Sequence, residues 1–236
     1  QQASWENEQR GLLYDGQSSL CFHYTETPET ILHGSCRKPH FYSDDALAQV
    51  DVLHENAFKK QNDFPDLLLM TGDQIYADDV AGPMLKAIHS VIDRLGLYHE
   101  VLEGAVVANT NELATHEHGY YEREQLLPQI ATNTVLSSIF FGSKKKPVFT
   151  SVNAQNHLIG GAEIIAMYLL VWSDTLWADI NIDKDGIPPK YLAIFDKEHE
   201  ALNGFVKQLP QVRRALAHIP TYMIFDDHDV TDDWNL

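Results

Sequence analysis

The stretch Leu67-Leu68-Leu69-Met70-Thr71-Gly72-Asp73-Gln74-Ile75-Tyr76-Ala77-Asp78-Asp79 decides the fold. Pro65 and Asp66 introduce an apolar run that stops at a glycine and then meets acids. A run of that length is a strand of the kind buried on both faces of a parallel sheet. Its exit delivers Asp73, and in open α/β sheets the carboxyl ends of the strands are where ligands bind.

Upstream, Thr30 to Cys36 is a second β-prone run that ends in small residues. Between the two, Ser43 reads as an N-cap with Asp44 and Asp45 in the first turn. Leu47, Val50, His54 and Phe58 then recur at helical spacing before Lys59 and Lys60. The order so far is β-α-β. Downstream, Leu85, Ile88, Val91, Ile92 and Leu95 mark a helix running from Pro83 towards Glu103, with Gly96 as a break or cap. Residues 109–129 are polar and irregular, Lys144, Lys145 and Lys146 sit in an exposed loop, and a long helical run covers 154–178. Asn181 to Gly186 imitates the opening of a calcium loop, but Leu192 stands where the bidentate glutamate belongs, so the segment reads as a turn. Residues 197–218 read as two helices divided at Pro210. Pro220 then opens a third apolar strand, Thr221 to Phe225, whose exit carries five carboxylates: Asp226, Asp227, Asp229, Asp232 and Asp233.

The 236 residues hold 17 basic and 34 acidic side chains, a formal charge of −17. Such a surface repels nucleic acid and anionic membrane unless cations intervene, and no nucleic-acid-binding patch is evident. The most apolar stretch, Leu158 to Trp172, is interrupted by Glu163 and two glycines and is too short for a membrane span. It reads as a buried helix whose Met167, Tyr168 and Trp172 belong to the core. The two cysteines, Cys21 and Cys36, make no disulfide framework and read as thiols. Gln1 to Glu8 shows neither an initiator methionine nor a signal pattern, so a processed or excised piece is expected, and compartment and oligomeric state are not legible.

Three strand ends therefore present Cys36, then Asp73 with Tyr76, then Asp226 to Asp233. Carboxylates so crowded face either water or metal. One carboxylate can bridge two cations, a thiolate and a phenolate are strong donors to a trivalent ion, and further carboxylates or a histidine hold a harder one. The plain alternatives are a buried apolar Cys36, a packed Tyr76 ring, and acids that cap the next turn. Arg37, beside the thiol, is placed to clamp a substrate phosphate or to form a surface salt bridge, and His228 to donate a proton or to orient a ligand. His116-Glu117-His118 is a poor metal pair, because residues two apart share a side only in a strand.

Gly34-Ser35-Cys36-Arg37, Gly72-Asp73-Gln74-Ile75-Tyr76 and Asp226-Asp227-His228-Asp229, in this order and each behind an apolar run, resemble the motifs of the PhoD-like (alkaline phosphatase D) metallophosphatases. These belong to the calcineurin-like metallophosphoesterase superfamily. The resemblance implies an α/β, metallophosphoesterase-like β-sandwich flanked by helices. Residues 1–82 and 197–236 would be parts of that domain and 83–196 a mainly helical insertion. It implies that Cys36, Asp73 and Tyr76 help bind ferric iron, and that Asp226, Asp227 and Asp232 lie near calcium or another divalent ion. Asp229 stands where the family has a longer acid, and Asp232 and Asp233 where asparagines often follow. The family's later Gly-Asp-x-His-type segment is expected downstream of Leu236. The implied activity is hydrolysis of a phosphate monoester or diester by metal-activated water. The rival expectation is a non-catalytic metal-binding or interaction module that retains the phosphatase fold.

Overall fold

The computed structural model describes residues 11–127 and 155–232. The features read at Gln1 to Glu8, at Lys144 to Lys146 and at Asp233 lie outside the described residues. Three strands, β1 (Ile31–Gly34), β2 (Leu67–Met70) and β3 (Thr221–Met223), form one parallel sheet in the order β1-β2-β3. Ile31 pairs with Leu67 and Gly34 with Met70, while Leu68 pairs with Thr221 and Met70 with Met223. The molecule is thus an α/β structure, and the strands among the described residues make a single small sheet. Burial along β2 alternates: Leu68 and Met70 are sealed, whereas Leu67 and Leu69 are half-buried. The expectation of a strand buried on both faces is met on one face only.

Among the described residues there are five α-helices: α1 (Ala46–Lys60), α2 (Gly82–Leu95), the single turn α3 (Thr110–Leu113), α4 (Gly161–Trp172) and α5 (Leu192–His218). The N-cap of α1 is Asp45, whose carboxylate accepts the Leu47 N–H at 3.0 Å, not Ser43. Helix α2 ends at Gly96 in the left-handed conformation, as its glycine predicts, well before Glu103. Pro210 lies inside α5 instead of dividing two helices. Its ring removes one backbone hydrogen bond, and the buried side chains Leu202, Phe205, Leu209 and Val212 hold the helix together across it. Helix α5 also joins two cores. Phe195, Leu202, Phe205 and Leu209 pack with α2 and α4, in the region expected as an insertion, while Val212 joins Leu47, Leu68 and Met70 beneath the sheet.

Two charged residues explain interruptions in the apolar pattern. Glu163 in α4 is buried, accepts the Ile159 and Gly160 N–H groups at 2.8 and 3.2 Å, and forms a bidentate pair with buried Arg123 at 2.7 and 2.8 Å. Burial would raise its pKa, but Arg123, His89 and the backbone donors hold the carboxyl well below the usual range. In the calcium-loop mimic, the Lys86 ammonium donates to Asp183 Oδ1 at 3.1 Å and to the Asp185 carbonyl at 2.5 Å. A side-chain cation thus occupies that turn. No helix among the described residues is long and apolar enough to cross a membrane.

The segment before β1 docks on α1 and α5 through a buried polar cluster. The Tyr14 hydroxyl donates to Asp51 at 2.8 Å, Arg214 closes on the same carboxylate at 2.5 Å, and the His54 ring stacks 5.4 Å from Tyr14 and 5.3 Å from His218. Neither nitrogen of His54 has a hydrogen-bond partner, and burial lowers its pKa from 6.5 to about 4. The folded chain binds fewer protons there than the unfolded one, so this stability is complete above about pH 6.5 and drains as pH falls towards 4. Between about pH 6.5 and pH 5 the loss from His54 amounts to about 2 kcal/mol. His54→Leu should therefore lose less Tm than the wild type on acidification from about pH 7 to about pH 5, as calorimetry will register. Equal losses in both proteins would remove His54 from the acid response.

Candidate metal centre

The centre is built by the way β1 and β2 continue past their last paired residues. The Cys36 N–H donates to the Gly72 carbonyl at 3.2 Å and the Arg37 N–H to the Asp73 carbonyl at 3.0 Å. Cys36 (φ 60°) and Asp73 (φ 50°) are both left-handed, a conformation costly for residues with a Cβ and found where surrounding structure enforces it. In this arrangement the Cys36 thiol donates to Asp73 Oδ2 at 3.2 Å and the Tyr76 hydroxyl approaches the same oxygen at 3.5 Å. Gly72 is required twice. Its φ of 130° suits glycine, and a Cβ there would lie 2.4 Å from the Cβ of Asp226, where the exit of β3 crosses.

The β3 exit sorts its acids into different jobs. Asp229 is buried and structural: Oδ1 accepts the Ile75 N–H at 2.9 Å and the Tyr168 hydroxyl at 2.6 Å, and Oδ2 accepts the Asp226 N–H at 2.9 Å. Asp226, exposed, caps the following turn by accepting the Asp227 N–H at 3.0 Å. Asp73, Asp227 and His228 each bring a donor atom into a group no wider than 4.8 Å, and Asp78, His228 and Asp232 form a second such group. Asp78 is fully buried and meets His228 Nδ1 at 3.0 Å with both oxygens. The His228 ring also leans on Tyr76, centroids 4.5 Å apart.

Burial is the first influence on the titration of the centre. Asp73 Oδ1 is buried with no hydrogen-bond partner. Burial raises the Asp73 pKa, with Asp227 and Asp226 adding to the rise while the Cys36 thiol and His228 oppose it. Burial, then Cys36 and Asp73, push the Tyr76 hydroxyl far up. Burial pulls His228 down, but Asp78, Asp73 and Asp232 outweigh it and the net shift is upward. Lys38 lies 5.4 Å over the Tyr76 ring and is ion-paired with Asp79. A cleft of about 710 Å³ opens beside Cys36 and Tyr76, walled by Leu47, Val50 and Leu53 of α1 and by Leu68 and Met70 of β2.

Of the residues singled out in the sequence, Cys36, Asp73, Tyr76, Asp227 and His228 come together, with Asp232 beside His228. Arg37 does not join them. Its buried guanidinium donates to Asp45 Oδ2 at 2.9 and 2.6 Å and to the Val171 carbonyl, and lies 4.7 Å from the Trp172 ring and 4.5 Å from Phe205. The salt bridge expected for it is present, but buried instead of on the surface, and Arg37 also lines the cleft beside Cys36. Asp78, which in sequence reads either as an acid behind the ligands or as an exposed one, is buried against His228. Tyr168, read as core, was not expected to shape the site, because a tyrosine in an apolar helix carries no signal of it. His116 and His118 stack on each other, 5.6 Å apart, in a separate turn. No family model, no curated protein and no solved structure matches the chain.

Arg37→Ala leaves the Asp45 carboxylate, side chain 4 % exposed, without its partner. The expected cost is about 3–5 kcal/mol in ligand-free urea unfolding. A variant as stable as the wild type but weaker in phosphate-ester binding would return Arg37 to the clamp.

Proposed function

We propose that the chain is a metal-dependent phosphoesterase of the PhoD-like type that hydrolyses phosphate monoesters or diesters. One observation carries this reading: a thiol, a carboxylate and a phenol from two adjacent strand ends converge on Asp73 Oδ2, on left-handed backbone, while Asp73 Oδ1 stays buried and unpaired. A sulfur donor argues against a calcium-only site, since calcium prefers oxygen. The donor set fits ferric iron at Cys36, Asp73 and Tyr76, and calcium or another divalent ion near Asp227, Asp232 and Asp226. When bound, such a pair supplies Lewis acidity towards phosphoryl oxygens and a coordinated water of lowered pKa.

The chain's own residues account for the rest. His228 is the candidate proton carrier for the leaving oxygen, and the cleft beside Cys36 has apolar walls for the organic part of the ester. With this reading goes the finer architecture of a β-sandwich, in which the present sheet is one layer. Tyr222, Met223 and Ile224, all exposed, offer apolar surface for further layers to cover. The commitment of the Arg37 guanidinium to Asp45 and the Val171 carbonyl favours a second reading, a non-catalytic metal-binding or interaction module on the same fold.

Plasma mass spectrometry on protein purified without chelators separates the two, together with hydrolysis of p-nitrophenyl phosphate and its diester. The enzyme reading expects iron with a divalent ion, turnover, and loss of both in Asp73→Asn. It also expects a visible phenolate-to-iron band that disappears in Tyr76→Phe. Metal without turnover supports the binding module, and unchanged metal content in Asp73→Asn would sink both readings.

A further inference from the structure

We infer that Asp78 is the positioning residue of His228, fixing the imidazole with its proton on Nδ1 so that Nε2 is the atom offered to the site. Its place in catalysis rests on the phosphoesterase reading; the fixing of the ring does not. Asp78 is fully buried, and both its oxygens stand 3.0 Å from Nδ1, within hydrogen-bond reach. The backbone around it is held on both sides. The Ala77 N–H donates to the His228 carbonyl at 2.8 Å, the Ala77 carbonyl accepts the Leu158 N–H at 2.7 Å, and Asp79 bridges to Asn156. The carboxylate and the ring are therefore set by the same short interface between the β2 exit and the β3 exit, and neither is free to drift.

The chemistry follows from an acceptor-only group placed at one ring nitrogen. An ionised carboxylate cannot donate, so it keeps hydrogen on Nδ1 and leaves Nε2 with its lone pair in the neutral ring. Nε2 lies 3.9 Å from Asp232, and the ring shares a 4.8 Å group with Asp73 and Asp227. Tyr76 lies against the ring and limits its rotation. Neutral His228 thus presents Nε2 as an acceptor or ligand, and protonated His228 presents Nε2–H as a donor. In both forms Asp78 stabilises the same orientation, as carboxylates do for histidines that ligate metals.

Asp78→Asn is close to isosteric and tests the inference without a metal. Its amide can donate to Nδ1, which would drive the neutral ring to the opposite tautomer. Long-range proton–nitrogen NMR of metal-free protein at alkaline pH should show the His228 hydrogen on Nδ1 in the wild type and on Nε2 in Asp78→Asn. Asp78→Glu should restore the wild-type signature at least in part. With the diester substrate, kcat should fall about 10- to 100-fold in Asp78→Asn while KM stays within about twofold. A wild-type ring protonated on Nε2, or a tautomer unchanged in Asp78→Asn, overturns the inference. A shifted tautomer with unchanged kcat overturns its catalytic part. A tautomer that shifts in Asp78→Asn, when the wild-type protein hydrolyses nothing, supports Asp78 as the anchor of His228 and overturns the phosphoesterase reading instead.

Discussion

Two peptide hydrogen bonds, Cys36 N–H to Gly72 and Arg37 N–H to Asp73, hold two chain segments in register after both strands have ended. Everything chemical in the molecule depends on them. They keep Cys36 and Asp73 in left-handed conformations that an isolated peptide would leave, at a cost of order 1–3 kcal/mol each. The sheet and the helix packing beneath it over-determine that geometry, so the strain is sustained by the fold. The result is a thiol and a carboxylate facing each other across two strand ends instead of pointing to opposite sides.

Arg37 shows how the same turn serves the core. Its N–H belongs to the strained pair, while its guanidinium reaches Asp45 at the start of α1, Val171 and Trp172 at the end of α4, and Phe205 in α5. One side chain thus ties the site-bearing turn to three helices. Removing such a charge from water is expensive, and the ion pair, the carbonyl and the two rings offset the cost by surrounding it on all sides. The same side chain lines the cleft beside Cys36, with its charge already committed to Asp45 and the Val171 carbonyl.

The parallel sheet and the convergence of its strand ends were legible because each strand is an apolar run with its chemistry at the exit, a local pattern. The destination of Arg37 was not, since Asp45, Val171, Trp172 and Phe205 are distributed over most of the chain and no spacing rule links them. Pro210 misled for a related reason: local propensity divides a helix there, and burial of Leu209 and Val212 in two separate cores overrides it. Glu163 looked like a break in an apolar helix because its partner, Arg123, lies in an irregular segment. Lys86 completes the turn at Asp183 from the neighbouring α2, which a motif template cannot register.

The acids at the β3 exit look alike in sequence, yet the fold separates them by what each oxygen touches. Asp229 spends both oxygens on Ile75, Tyr168 and Asp226, and Asp226 caps the turn. Asp78, from the other strand exit, is committed to His228. These commitments are hydrogen bonds to fixed donors, and Asp227, whose Oδ1 accepts the His228 N–H at 3.0 Å, lies with Asp73 and His228 in one group no wider than 4.8 Å. Burial raises the proton affinity of Asp73, one of whose oxygens is buried and unpaired, and Asp227 and Asp226 add to the rise. The nearby Lys38 ammonium is engaged by Asp79. The Cys36 thiol and the Tyr76 hydroxyl both reach Asp73 at Oδ2, so the two strand exits supply donors to one oxygen of that carboxylate and leave the buried Oδ1 as the oxygen without a partner.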